Sequence, residues 1–258
     1  MSASGWINKG VTVNHLARAV WQWLVIALCP VSIALAGTPD FNGVWARYPD
    51  PYAAGPIPED PPAPAGDPHL REPYATAYKN YKIRKKAADD AGRPLVDASS
   101  QCLPEGMPTI MGAVYNIQLL QTPKELIVLA EFLTQTRRVF LNEKMPSLSA
   151  ITPSYNGYSV GHWEGDTLVV QTVGVREDTH FYAFPHSRNM VITERMRLTA
   201  PDLLENRVKI EDPAVLAQPY EFIYGYKKDP TYRILEYICD DNRSVVGEDG
   251  TYGLKITK

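Results

Sequence analysis

Tyr155–Val175, YNGYSVGHWEGDTLVVQTVGV, decides how the chain is read. Two extended runs, Tyr155–Trp163 and Asp166–Val175, are rich in aromatic and β-branched residues, with Glu164-Gly165 between them. A two-residue, Gly-containing link between strand-like runs predicts a β-hairpin. The segment also holds His162, one of five histidines, beside Trp163, Glu164 and Asp166.

The same texture extends outward. Strand-like runs are expected at 113–121, 125–133, 135–142, 189–199, 203–211, 219–228 and 231–239, with an earlier one at 41–48. With the hairpin these make ten, mostly joined by short Pro, Gly, Asn or Asp turns. Many short antiparallel strands and little helix predict a barrel or a sandwich. Runs apolar on both faces, such as Leu168-Val169-Val170, favour the barrel. The expected fold is therefore mainly β, an antiparallel barrel of about eight to ten strands with one N-terminal helix. Asn42-Gly43-Val44-Trp45 adds a G-x-W opening. In lipocalin-like (calycin-type) barrels such a Trp packs across the floor, although an ordinary first strand would read the same. Residues 49–73 are a Pro-rich surface wrap. Pro73 is placed to start a helix at its first position, with Tyr74, Ala77, Tyr78 and Tyr81 at helical spacing, ending before Gly92-Arg93-Pro94.

Residues 1–36 have the layout of a secretory signal. Lys9 and Arg18 precede a nearly continuous apolar run from Leu24 to Leu35, and Ala34-Leu35-Ala36 offers a small-x-small cleavage site. This predicts a mature chain starting at Gly37, a single barrel domain over 37–258, and a periplasmic or secreted location. The alternative is an uncleaved N-terminal anchor. The apolar run is short for a membrane span, and Leu28 before Cys29 does not suit lipidation. The formal net charge is −3, and the only basic cluster is Lys82–Lys86. Both argue against nucleic acid as partner. Without Cys29, Cys102 and Cys239 form the one remaining pair, and an oxidising compartment predicts a disulfide between them. Closing so long a loop contributes roughly 3–5 kcal/mol when unstrained.

Alternation along strands exposes candidate chemistry, because residues i, i+2 and i+4 share a face. Glu194 falls with Met190, Ile192 and Met196; Glu131 with Ile127, Leu129 and Leu133; Glu236 with Tyr232, Ile234 and Ile238; His162 with Tyr158 and Val160. Ionisable groups on apolar faces must be neutral, paired or turned to a wet cavity. Four strands aimed into one barrel would make a polar spot in an apolar pocket, the usual form of a ligand site. The plainer reading is structural ion pairing, with Arg137, Arg138, Arg195 or Arg233 as partners. In the connection 176–188, Asp178, His180 and His186 are expected on the rim. Their spacing matches no recognised metal motif, although His162, His180 and His186 could converge on zinc. Tyr220, Phe222, Tyr224 and Tyr226 share one face, suited to an aromatic core or to stacking an aromatic ligand. No nucleotide loop, G-x-S-x-G elbow or HExxH occurs.

Several stretches occur in a fixed order: CLPEGMP at 102–108, QTP at 121–123, GHWEGDTLVV at 161–170, PHS at 185–187, ITER at 192–195 and EDP at 211–213. In these the chain resembles a large family of exported bacterial proteins of lipocalin-like form, for which no reaction is settled. The resemblance covers most of residues 100–242. It implies that His162, Trp163, Asp166, His186, Glu194 and Arg195 occupy the family's recurrent positions, and that Cys102 and Cys239 recur together. The chain departs from the family at Gln171, where members often carry Asp, and at Glu143–Pro146, where they often carry a Gly-Arg-Pro-His-Pro-like segment.

These residues together predict an exported, cofactor-independent enzyme performing acid–base chemistry, of lyase, isomerase or hydrolase type, on a small apolar or aromatic molecule. His162 is expected as general acid or base, Glu194 as its partner and His186 as a polarising group. Glu131, Tyr158, Asp178, His180, Arg195 and Glu236 are expected around the substrate. Neither a metal nor another cofactor is expected. A periplasmic carrier for apolar ligands is the alternative, and an envelope structural protein a third.

Overall fold

The computed structural model describes residues 37–51, 53, 64–179, 181–239 and 244–254. The leader, most of the Pro-rich wrap and His180 lie outside the described residues. Nine strands close into a barrel in chain order: β1 (Gly43–Arg47), β2 (Ile117–Gln121), β3 (Glu125–Ala130), β4 (Gln135–Leu141), β5 (Tyr158–Glu164), β6 (Thr167–Val173), β7 (Val191–Ala200), β8 (Leu203–Glu211) and β9 (Tyr220–Lys228). β1 completes the ring by pairing with β9, Trp45 opposite Lys228. A separate pair, β10 (Ser244–Val246) and β11 (Tyr252–Leu254), follows.

An odd number of strands has a geometric consequence. Directions cannot alternate all round a ring of nine, so at least one neighbouring pair must run the same way. That pair is β4 and β5, in register only from Val139↔Ser159 to Leu141↔Gly161. All other pairs in the ring are antiparallel, so the barrel is mixed rather than wholly antiparallel. The 142–157 connection returns along the barrel from one end to the other, and the ends differ in consequence. One end carries the tight turns 122–124, 165–166 and 201–202. The other gathers the long loops that follow β1, β6 and β8.

The central hairpin forms as expected, but its turn is Gly165-Asp166, since Glu164 still pairs with Thr167. Gly165 takes φ +63°, the left-handed conformation that a two-residue hairpin loop demands. α1 spans Tyr74–Asp90, with Pro73 at the capping position rather than inside the first turn. It ends at Gly92, whose positive φ lets the Gly92 and Arg93 amides turn back onto Asp89 and Ala88 carbonyls. Residues 231–239 are not a strand. Pro230 removes a backbone donor at its start, and Cys239 is tied away from the barrel wall by the Cys102–Cys239 disulfide, with Cα atoms 5.6 Å apart.

The core is the barrel interior. Trp45, Leu119, Val128, Val139, Leu168, Ile192, Met196, Val208 and the row Tyr220, Phe222, Tyr224, Tyr226 are all buried. A short helix α2 (Thr109–Gly112) sits against the loop end, burying Ile110 and Met111 and accepting a hydrogen bond from Tyr226 Oη at the Met111 carbonyl, 2.6 Å.

Candidate functional site at the loop end

Strand alternation placed Glu194 correctly on the inward face of β7, but Glu131 lies beyond β3 and Glu236 outside any strand, and the four charged residues do not meet in one cavity. Glu194 alone of the four points into the barrel, at 0% exposure. It is fully engaged there. Arg137, 2% exposed, makes two hydrogen bonds to its carboxylate, and Asn206 Nδ2 donates a third, 2.9 Å. Ser159 and Thr172 take up the rest of the guanidinium. This is a satisfied ion pair whose hydrogen bonds link five strands, β4 to β8, the structural role, and not a free base.

His162 faces outward. The inward face of β5 is Ser159, Gly161 and Trp163, with Gly161 packed closely against Val139 and Leu141 across the parallel pair. A Cβ there would lie 3.0 Å from Val139 Cγ1. His162 is therefore left 57% exposed and bonds Glu164, which also holds Arg195. Tyr158 shares that outer face, stacked on Phe140. Asp178 is exposed and paired with Arg176. Glu236 is exposed in the irregular 231–239 segment. Glu131 is buried, but just beyond β3, where it accepts hydrogen bonds from Tyr232 Oη and the Leu235 amide. It fastens the C-terminal segment. His162→Ala is accordingly expected to leave both the unfolding midpoint and any turnover unchanged. A folded but inactive variant would restore His162 to the site.

Unsatisfied polar atoms gather instead at the loop end. Of six buried side-chain N or O atoms without a partner among the described residues, four are Thr109 Oγ1, Thr179 Oγ1, His186 Nε2 and Tyr224 Oη. Each such atom costs about 1–3 kcal/mol unless something meets it. His186 is 8% exposed, with Nδ1 3.1 Å from the Ser187 carbonyl. A carbonyl only accepts, so Nδ1 donates in that contact and Nε2 is the nitrogen left without a partner. Ser187 is in turn held by Asp212 through both its amide and its hydroxyl. Tyr224 Oη lies against Gly112, where any side chain would collide with it.

Glu105 lies in the same region. It is largely removed from water and has no hydrogen bond or ion pair among the described residues. Burial, assisted by the charge of Asp97, raises its pKa from 4.5 to about 7. Its loop is clamped by the Met107 amide on the Tyr155 carbonyl, 2.9 Å, and by Gly106, whose φ of +68° and close approach to Tyr155 admit no side chain. Within reach of the Glu105 charge lies a tight turn between the bridged residues Phe181 and Phe184. The turn residues Tyr182 and Ala183 have φ of +48° and +61°. Non-Gly residues in this region are strained by about 1–2 kcal/mol each. Phe181 stacks on Phe222 at 5.2 Å and Phe184 packs on Tyr220 at 5.5 Å, and these contacts hold the turn down. Tyr182 is half-buried within the fields of both Glu105 and Arg47; burial raises its pKa, as does Glu105, while Arg47 lowers it. Arg47 covers the Tyr224 ring, 4.4 Å from its centroid, and borders an open cleft of about 440 Å³ beside Tyr48, Val114 and Asn116.

The loop end thus presents an unpaired carboxyl, a phenol on a strained turn, a guanidinium and a buried aromatic floor. Glu105 and Tyr182 were not found from the sequence because alternation orders strands, not loops, and Arg47, at the end of β1, has no local pattern that marks it; the one available signal was Glu105 inside the CLPEGMP stretch. Among the described residues no group of three or more His, Cys, Asp or Glu could hold a metal ion. No helix there is long and apolar enough to cross a membrane. Compared with protein-family models, curated proteins and solved structures, the chain finds no match.

Proposed function

We propose that the protein is an exported, cofactor-independent enzyme that moves a proton on a small aromatic molecule bound at the loop end. The observation that carries this reading is the unpaired, desolvated carboxyl of Glu105 among orphaned buried polar atoms and aromatic rings. A carboxyl with a pKa near 7 has the proton affinity suited to a general base at neutral pH. In the reaction proposed, Glu105 takes a proton from carbon next to a carbonyl, and the electron pair moves onto the carbonyl oxygen. Tyr182 or Tyr224 donates a hydrogen bond to that oxygen, and Arg47 offsets its charge. Return of the proton to a different carbon gives isomerisation; loss of a leaving group gives elimination. Phe181, Phe222 and Tyr220 supply the apolar bed. Export is supported by the leader-like composition of residues 1–36 and by the Cys102–Cys239 disulfide.

The test is deuterium incorporation from solvent into a panel of aryl ketones, comparing the native protein with Glu105→Gln and Tyr182→Phe. Glu105→Gln is expected to slow exchange by about 10²–10⁴-fold without loss of ligand affinity. Exchange undiminished in Glu105→Gln would overturn the assignment. The saturated Arg137–Glu194 pair favours a second reading, a carrier, because the one carboxylate that the described strands turn into the barrel is already engaged. A carrier would retain aryl ketones and exchange none.

A further inference from the structure

The parallel seam between β4 and β5 holds a cleft that meets the Glu105 loop at Pro104 and Tyr155 and otherwise runs along the strands. β3 accompanies β4 from Gln135 onward, whereas β5 joins it only at Val139. Residues 135–138 therefore have a strand along one edge alone. The orientation of that free edge follows from two bonds. The Leu141 amide goes to the Lys124 carbonyl on the β3 side. The Thr136 carbonyl receives Asn156 Nδ2 on the other side, 3.2 Å. Even-numbered β4 residues thus turn their backbone groups to the seam, and the amides of Thr136 and Arg138 face it with no β5 residue in register opposite.

The gap is a cleft of about 460 Å³. Phe140, Tyr155 and Tyr158 line it, and Arg137 and Ser159 form its floor. Asn156 Oδ1 is buried there without a partner. The cations around the cleft are already neutralised: Arg137 by Glu194, Arg138 by Glu125, and Arg176, which covers the Tyr155 ring, by Asp178. What remains is an acceptor, Asn156 Oδ1, next to a donor, the Thr136 amide, between aromatic walls and without net charge.

We infer that the seam cleft binds a neutral, planar molecule bearing an amide edge, an aromatic carboxamide or a lactam. The ligand N–H would be accepted by Asn156 Oδ1 and its carbonyl would accept from the Thr136 amide. A carboxylate would find no free cation, and a hydrocarbon would leave both groups unmet.

The probe is benzamide, with benzoate and ethylbenzene as comparisons, titrated into the protein and followed by backbone amide NMR shifts. Benzamide is expected to bind at least tenfold more tightly than either comparison and to shift Thr136, Arg138 and Asn156. Asn156→Ala is expected to weaken it at least tenfold, while Glu105→Gln leaves it unchanged. Equal affinity for ethylbenzene, or shifts confined to residues outside the seam, would overturn the inference. Should Asn156→Ala fail to fold, the ranking and the shift map on the native protein decide alone.

Discussion

Arg137→Met is expected to destabilise the protein by about 3–5 kcal/mol, measured as a fall in the urea midpoint with an unchanged slope. The size follows from what is left behind. Glu194 is fully buried and would lose its cation, keeping only Asn206 as donor, while Ser159 and Thr172, still bonded to each other, would lose the guanidinium donor they share. Glu194→Met should cost a similar amount for the mirror-image reason. The double variant is the informative one. With both charges gone, no uncompensated ion remains, and well-packed apolar pairs often match the ion pair they replace. Arg137→Met with Glu194→Met should therefore recover most of the loss. Additive losses would show that the two side chains act independently, and that the pair does not carry the effect.

Glu105→Gln is expected to make the protein more stable above neutral pH, even as it removes the proposed base. In the folded chain Glu105 has its pKa near 7, against 4.5 for an ordinary Glu carboxyl. Between those values the native state holds a proton that the unfolded chain has released, so stability falls as pH rises through this window. Below about pH 4.5 both states are protonated and the effect is absent; above about pH 7 both are ionised and the full penalty applies. At about 1.4 kcal/mol per pH unit, and allowing for partial solvent contact, the penalty is on the order of 2–3 kcal/mol. Denaturation midpoints of the two proteins should coincide at pH 4 and separate by pH 8, with Glu105→Gln the more stable. Coincident curves at both pH values would mean that Glu105 is not held in a desolvated site. Functional groups often carry such a cost, which is why their replacement can stabilise.

The barrel was legible because its strands alternate cleanly. In β7, Ile192, Glu194 and Met196 face in and Arg195 and Arg197 face out, as the pattern implied. The row Tyr220 to Tyr226 on β9 behaves in the same way. For β5 alternation was right about grouping and wrong about direction, since Ser159 and Gly161 look less like core residues than Tyr158, Val160 and His162. Inside, Ser159 bonds Arg137 and Thr172 and Gly161 packs closely on Val139 and Leu141 of the parallel partner, contacts that no local pattern reveals. At 231–239 alternation was present without a strand, because no barrel edge remained once β1 had paired with β9. The loop-end groups come from segments far apart in sequence, namely Arg47, Glu105, Tyr182 and Tyr224. Only the closed ring brings them together.

The disulfide also bears on how quickly that ring can close. Docking β1 onto β9 joins Trp45 to Lys228, a contact spanning about 180 residues of chain, and contacts of that range are slow to find. With Cys102 linked to Cys239, the covalent path between the same two residues shrinks to about 70. The logarithmic dependence of loop-closure entropy makes the saving roughly 0.9 kcal/mol, a few-fold in the search for the closed state. When the chain refolds with the disulfide intact, the cross-link turns this long-range encounter into a much more local one.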